Sequence, residues 1–239
     1  MLSLEKIEGV VWDMDGVLHS YIPFAQSLPH WNGAAVRAFN TVAAASGLEH
    51  GLSFDELHLM AAQSFQDHGA SVAVFSRNYG MCERKMHIEF HREAEMEKLI
   101  LAHDTLPDLF KQTSHLKHVV LTHGSTDWAE RCLVKNGLRD YFNAVISFED
   151  VDMIKKSDSE IPVLRAIGQL DLPAENLVMA EDTKKNLIIP KRLGMQTVFI
   201  EESGLEPQWI RKPTAEDHYV DLSVPTAPDF LKLLASVPV

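Results

Sequence analysis

Short apolar runs alternate along this chain with stretches of helical periodicity, and that alternation leaves few folds open. The runs are Gly9–Trp12, Lys117–Leu121, Ala144–Ser147, Leu177–Ala180 and Gln196–Ile200, with a weaker one at His218–Asp221. Helical patterns occupy 125–136, 157–170, 183–193 and 226–236, and Gly137 and Gly194 stand just past two of them, where a left-handed stop is expected. Strand, helix, strand repeated in this order predicts an α/β fold, a doubly wound Rossmann-like parallel sheet with helices on both faces. A chain of 239 residues, 46% of them hydrophobic, can bury such a core and carry one insertion besides.

The interval between the first and second runs reads differently. Residues 30–106 contain none of the 11 prolines, and apolar residues recur there at helical spacing, as in Phe54, Leu57, Ala61 and Phe65. A second stripe is read through Met81, Lys85, Ile88, Glu95 and Leu99. The pattern predicts a helical cap inserted after the first strand, entered near Pro23–Pro29 and left near Pro107. The expected organisation is a discontinuous core of 1–18 and 111–239 with a cap of 19–110, and a loop around 204–213.

Composition narrows the partners. With 22 Lys and Arg against 34 Asp and Glu, the net charge is −12. That balance argues against a nucleic-acid polymer, which needs basic stripes to displace counterions. It leaves room for a small anion, because a bound cation and one lysine can reverse the local field. No uninterrupted apolar stretch approaches the roughly 18 residues of a membrane span. Residues 1–6 are charged early and lack the apolar segment of a signal peptide. Cys82 and Cys132 lie 50 residues apart without metal-type partners, as in a reducing compartment. A soluble cytoplasmic protein, with no membrane partner and no set oligomeric state, is the expectation.

The sharpest chemical signal is Asp13-Met14-Asp15-Gly16-Val17-Leu18, where the first apolar run ends in two carboxylates. On an extended strand residues i and i+2 share one face, but the two acids converge on one pocket only if the strand stops at Asp13 and the chain turns at Gly16. Such a pair can divide labour, one ionised and the other protonated. A calcium loop would bring an acidic ligand twelve positions along, where Phe24 stands instead. From these residues alone a catalytic pair and a solvated strand-end turn both stay open.

Taken with three further segments, the chain resembles the haloacid dehalogenase superfamily, most of whose members are magnesium-dependent phosphatases. Asp13–Leu18 matches that family's first motif. Val119-Val120-Leu121-Thr122 matches the second, an apolar strand ending in a hydroxyl residue. Lys156-Ser157-Asp158-Ser159-Glu160 aligns with the third, both prolines replaced by serine. Leu177–Asp182 and Gly194-Met195-Gln196-Thr197-Val198 reproduce the fourth and the strand beyond it.

The resemblance implies a role for each residue. Asp13 attacks phosphorus, and Asp15 protonates the leaving oxygen and then activates water. Lys156 offsets the negative charge, while Thr122 and the N–H groups at His123 and Gly124 hold the phosphate. Mg²⁺ would take Asp13, the carbonyl of Asp15, Asp182 and, directly or through water, Glu181. The presence of Asp15 favours phosphoryl transfer, since the family's dehalogenases lack this second acid. No cap lysine (Lys85 or Lys98) stands out as the Schiff-base residue of a phosphonate-cleaving relative.

Within the family, Tyr79-Gly80, Phe90-His91-Arg92-Glu93, Leu121–Ser125 and Asp182 with Asn186 are similar to the pyrimidine 5′-nucleotidase group. The chain departs from that group at Gly16–His19, at His123 and at Pro190. A nucleoside monophosphate is thus the leading substrate class. A sugar-phosphate or phosphoglycolate phosphatase, a phosphomutase, and a binding domain that has lost turnover are the alternatives. His19, Arg77, Asn78 and Tyr79 are candidates for contacting the leaving group. Of the 12 histidines, His87 and His91 share a helical face without a third metal ligand nearby, and Trp12 and Cys132 read as core. Lys184 and Lys185 read as a solvated face.

Overall fold

The computed structural model describes residues 2–201 and 213–238, so the loop expected around 204–213 lies outside the described residues except for Pro213. In chain order the elements begin β1 (Gly9–Trp12), β2 (His19–Tyr21), α1 (Phe24–Ala45), α2 (Phe54–His68), α3 (Ala73–Tyr79) and α4 (Glu83–Glu93). They continue β3 (Ile100–Ala102), α5 (Leu106–Gln112), β4 (Lys117–Leu121), α6 (Thr126–Lys135), β5 (Ala144–Ile146) and α7 (Ile161–Leu170). The last are β6 (Leu177–Glu181), α8 (Ile188–Arg192), β7 (Gln196–Ile200), β8 (Leu222–Val224) and α9 (Ala227–Ala235). The chain divides into two compact units, Met1–Tyr21 with Leu101–Val239 and, between them, Ile22–Ile100. Residues 101–110, assigned to the insertion by sequence, fall in the sheet-bearing unit, where α5 buries Leu106 and Phe110.

In the first unit the described strands form a six-stranded sheet in the order β5-β4-β1-β6-β7-β8, every neighbouring pair parallel. The chain builds outward from β1 through β4 to β5, then crosses back to start again at β6 on the other side. That reversal puts the switch point at the carboxyl end of β1, where open α/β sheets bind ligands. Register makes the placement specific: Trp12 lies opposite Val120 of β4 and Ala180 of β6. The next residues of all three strands therefore emerge at one level. Val11, Val119 and Met179 pack into one buried cluster with residues of α7. Trp12 faces the other way, its ring 5.6 Å from Phe110 and 5.7 Å from Phe230.

The second unit is helical. α2 opens with a capping box in which Ser53 accepts from the Glu56 N–H and the Glu56 carboxylate accepts from the Ser53 N–H. Its core stacks Phe39 on Phe75 at 4.4 Å and gathers Leu57, Ala61 and Met86 around them.

The helical unit is entered where Pro23 and Pro29 predicted, with Pro23 as the N-cap of α1 and Pro29 inside that helix. Three sequence readings need correction. The buried position of α4 is Met86, and the chain leaves the helix after Glu93, so Glu95 and Leu99 are not on it. The last strand forms at Leu222–Val224 rather than 218–221. Upstream, Asp217 accepts from the Thr214 N–H, and the Asp221 carboxylate accepts from the Thr197 N–H and from Lys191, which uses those residues in a turn. Pro190 does not break its helix: it is the third residue of α8, whose first-turn N–H groups lack helical partners anyway. Gly137 and Gly194 do take positive φ, 66° and 93°, past their helices. Among the described residues no helix is long and apolar enough to cross a membrane.

Candidate active site

β1 delivers Asp13, β4 delivers Thr122 and β6 delivers Glu181 and Asp182, all at the level the register sets. The Asp13 N–H extends the ladder by bonding the Ala180 carbonyl at 2.9 Å, and the Thr122 N–H does so to Ile146 at 3.0 Å. The chain then reverses at Gly16, whose φ of 78° suits glycine.

Lys156 reaches this point from the loop after β5. Its buried ammonium donates to Asp13 Oδ1 at 2.6 Å, Glu181 Oε2 at 2.7 Å and the Leu121 carbonyl at 3.1 Å. Three protons meet three acceptors, so the charge is fixed in direction as well as place. The two carboxylates raise the lysine pKa. The loop is tied by Asp150, which accepts from the Ser147 N–H and hydroxyl, and by His123, whose Nε2 accepts from the Lys156 N–H at 3.0 Å. Burial first, then the Lys156 charge, push His123 down to about 3, so the ring is a neutral acceptor packed on Phe148. The His123 ring thus positions the lysine loop.

Carboxylate oxygens of Asp13, Glu181 and Asp182 lie within 4.8 Å of one another. Burial and the neighbouring Glu181 charge push Asp13 and Asp182 up, while Lys156 holds Glu181 down. Ionised together, the three acids would exceed the one ammonium by two negative charges, which burial resists unless a cation offsets them. Hard oxygen donors carrying that excess fit a divalent cation such as Mg²⁺.

Asp15 sits across from this cluster in a different setting. Its Oδ1 accepts from the Tyr21 hydroxyl at 2.8 Å, the Trp128 indole N–H at 2.8 Å and His19 Nε2 at 3.2 Å. Its Oδ2 accepts from the Thr122 hydroxyl at 3.3 Å. Burial opposes ionisation here, but the His19, Trp128 and Tyr21 donors together hold the carboxyl well below its ordinary value. The Thr122 oxygen in turn accepts from the Gly124 N–H at 2.8 Å, so this expected phosphate donor is occupied inside the loop. Glycine is required at 124 by close approach, because a Cβ there would lie 2.9 Å from Trp128 Cδ1.

Sequence reasoning missed Trp128 and Tyr21. Tyr21 shares a strand face with His19 at spacing two, a signal that was available. Trp128 lies in the first turn of α6, its N–H donating to the N-cap hydroxyl of Ser125, and no local pattern announced its reach to Asp15. His19, expected to meet a leaving group, is wholly buried against Asp15, and its Nδ1 has no hydrogen-bond partner among the described residues. Arg77 and Asn78 are exposed on the last turn of α3 in the helical unit, whereas Tyr79 packs its ring 4.9 Å from Phe39 in that unit's core. The remaining readings of the sequence fare unevenly. Cys132 is buried with its thiol pKa pushed up, but Lys184 is half-buried and paired with Asp217 at 2.7 Å.

Comparisons with known proteins accord with this geometry. A family model described as haloacid dehalogenase-like hydrolase matches residues 10–200. A search of curated proteins finds no match. Among solved structures, a HAD phosphatase from Thermococcus onnurineus superposes with a TM-score of 0.63 at 19% identity, covering 98% of this chain and 100% of that one. A provisionally assigned β-phosphoglucomutase from Thermotoga maritima gives 0.60 at 18% identity, covering 97% and 100%. An L-2-haloacid dehalogenase from Xanthobacter autotrophicus with chloropropionic acid covalently bound gives 0.57 at 14%, again covering 97% and 100%. At these identities the superpositions speak to the fold alone. The family model spans most of the chain and runs from the strand that carries Asp13 to the strand beyond Asp182, so the chain belongs to the haloacid dehalogenase-like hydrolases.

Proposed function

We propose that this protein is a phosphatase that hydrolyses a small phosphomonoester through a phosphorylated Asp13, with a divalent cation, Mg²⁺ by resemblance, as cofactor. The observation that carries the reading is the second acid, Asp15, placed beside Thr122 and furnished with its own set of donors. A carbon-attacking reaction that expels halide has no use for a proton donor at the leaving group, whereas an ester oxygen does.

The chain's residues divide the work as follows. Asp13 forms the new P–O bond as the bond to the leaving oxygen breaks, and Asp15 supplies the proton that oxygen needs. Asp15 then takes a proton from the attacking water, the P–O bond to Asp13 breaks, and phosphate leaves with Asp13 restored. Lys156 balances charge that would otherwise repel the incoming anion. Asp13, Glu181 and Asp182 would hold the cation. Bound there, it would neutralise their excess charge and that of the phosphoryl group.

A nucleoside monophosphate is the substrate class we favour, on the sequence segments shared with pyrimidine 5′-nucleotidases. Phosphate release from a panel of nucleoside monophosphates, phosphoglycolate and sugar phosphates tests it, and isomerisation without release would favour a mutase. Asp13→Asn should still bind Mg²⁺ and substrate yet release no phosphate. Wild type as inert as that variant across the panel would favour a binding domain instead.

A further inference from the structure

Asp15 is asked to hold a proton at one moment and surrender it at another, and its two oxygens do not stand in equivalent surroundings. A carboxylate oxygen offers about two lone-pair directions. Among the described residues Oδ1 takes three donors, from Tyr21, Trp128 and His19, and so has no direction left for a substrate. Oδ2 takes only the longer bond from Thr122 and lies 3.4 Å from where a Cβ on Gly124 would stand, beside the loop that follows β4.

We propose that Trp128 and Tyr21 are positioning residues that anchor Asp15 through Oδ1, leaving Oδ2 as the oxygen that exchanges the proton with the leaving group and with water. The inference rests on the phosphatase reading above and deepens it. Both anchors come from well-supported elements. Trp128 is fully buried on the first turn of a helix capped by Ser125, and the Arg131 guanidinium lies over its ring at 5.6 Å. Tyr21 stands edge-on to His19 at 5.6 Å, so each steadies the other. An indole N–H and a phenol hydroxyl orient the carboxylate by direct hydrogen bonds, which also favour its ionised, proton-accepting form. Gly124 leaves the indole just enough room to reach the acid.

Substituted phenyl phosphates, from para-nitro to para-methoxy, test the assignment at nearly constant size with full-length protein and Mg²⁺. The quantity to follow is kcat/KM, which reports steps up to departure of the leaving group. A para-nitrophenolate leaves almost unaided, and a para-methoxyphenolate needs the proton. In Trp128→Phe and in Tyr21→Phe, kcat/KM should fall about threefold for the para-nitro ester and about thirtyfold for the para-methoxy ester, a part of the roughly 10²–10⁴ that a placed acid supplies. Tyr21→Phe removes one hydroxyl and keeps the ring, so it remains informative if Trp128→Phe folds poorly. An equal loss for every ester, or no loss for any, would overturn the positioning role while leaving the phosphatase reading in place. Wild type that releases phosphate from none of them would overturn both.

Discussion

At the scale of single residues, Lys156 is the most exacting side chain in the molecule. It is 1% exposed and bridges two carboxylates that are themselves buried. Taking away one member of such a cluster leaves uncompensated charge in the interior, at a cost of about 3–5 kcal/mol. Lys156→Met should lower the stability measured by urea unfolding by that amount and slow phosphate release roughly 10²–10³-fold. An unchanged unfolding midpoint would mean that water reaches the cluster more freely than the structure indicates. Asp13, Thr122 and Asp182 were legible from the sequence because each closes or follows a recognisable apolar run, whereas Lys156 stood out only through its likeness to the family's third motif. His123 was named for its N–H, but the role of its ring was not legible, because the ring accepts a bond from a backbone N–H 33 positions away. Trp128 escaped for the same reason, being 113 positions from Asp15, whereas Tyr21, six positions away, could have been read from its spacing to His19.

At the scale of elements, β1 and its neighbours show what periodicity can and cannot say. The core strands were readable because parallel strands buried on both faces are nearly continuous apolar runs. β8 was displaced because the polar side chains of Asp217 and Asp221 outcompete a ladder there. Pro23 and Pro29 were read as the way into the helical unit and do mark it, the first as N-cap of α1 and the second within its early turns. The layer between β4 and α5 offers a pH prediction. Trp12 Nε1 donates to His118 Nδ1 at 3.1 Å, which fixes the neutral ring, and burial pushes His118 down to about 4. A base whose folded pKa is depressed contributes stability that is complete above 6.5 and lost as pH falls toward 4. By pH 5 the loss should reach about 2 kcal/mol. His118→Gln should be less stable at pH 7 by about 1 kcal/mol and should show a smaller fall in unfolding midpoint between pH 7 and pH 5. Parallel falls in both proteins would place the acid sensitivity elsewhere.

At the scale of the whole molecule, charge links folding to the cofactor. A divalent ion held, as proposed, by Asp13, Glu181 and Asp182 would raise the stability of this acidic protein as well as serve its chemistry. Mg²⁺ at a hundredfold excess over its Kd should add about 2.7 kcal/mol, and Asp182→Asn should abolish most of the gain in a thermal melt. Acids whose folded pKa is raised bind more protons folded than unfolded, so the metal-free protein should weaken as pH climbs above about 4. The Mg²⁺-induced shift should accordingly be larger at pH 8 than at pH 5. A shift independent of pH would separate ion binding from these carboxylates.

The central position of β1 has a further consequence for synthesis. Gly9 lies opposite Lys117 on one side and Leu177 on the other. A ribosome emitting about 5–20 residues per second makes neither neighbour until several seconds after Gly9 itself. During that wait the greasy segment ending in Trp12 has no ladder to join, while the inserted helices, rich in local contacts, can already assemble behind it. The strand at the centre of the finished sheet is thus the one left longest unsheltered.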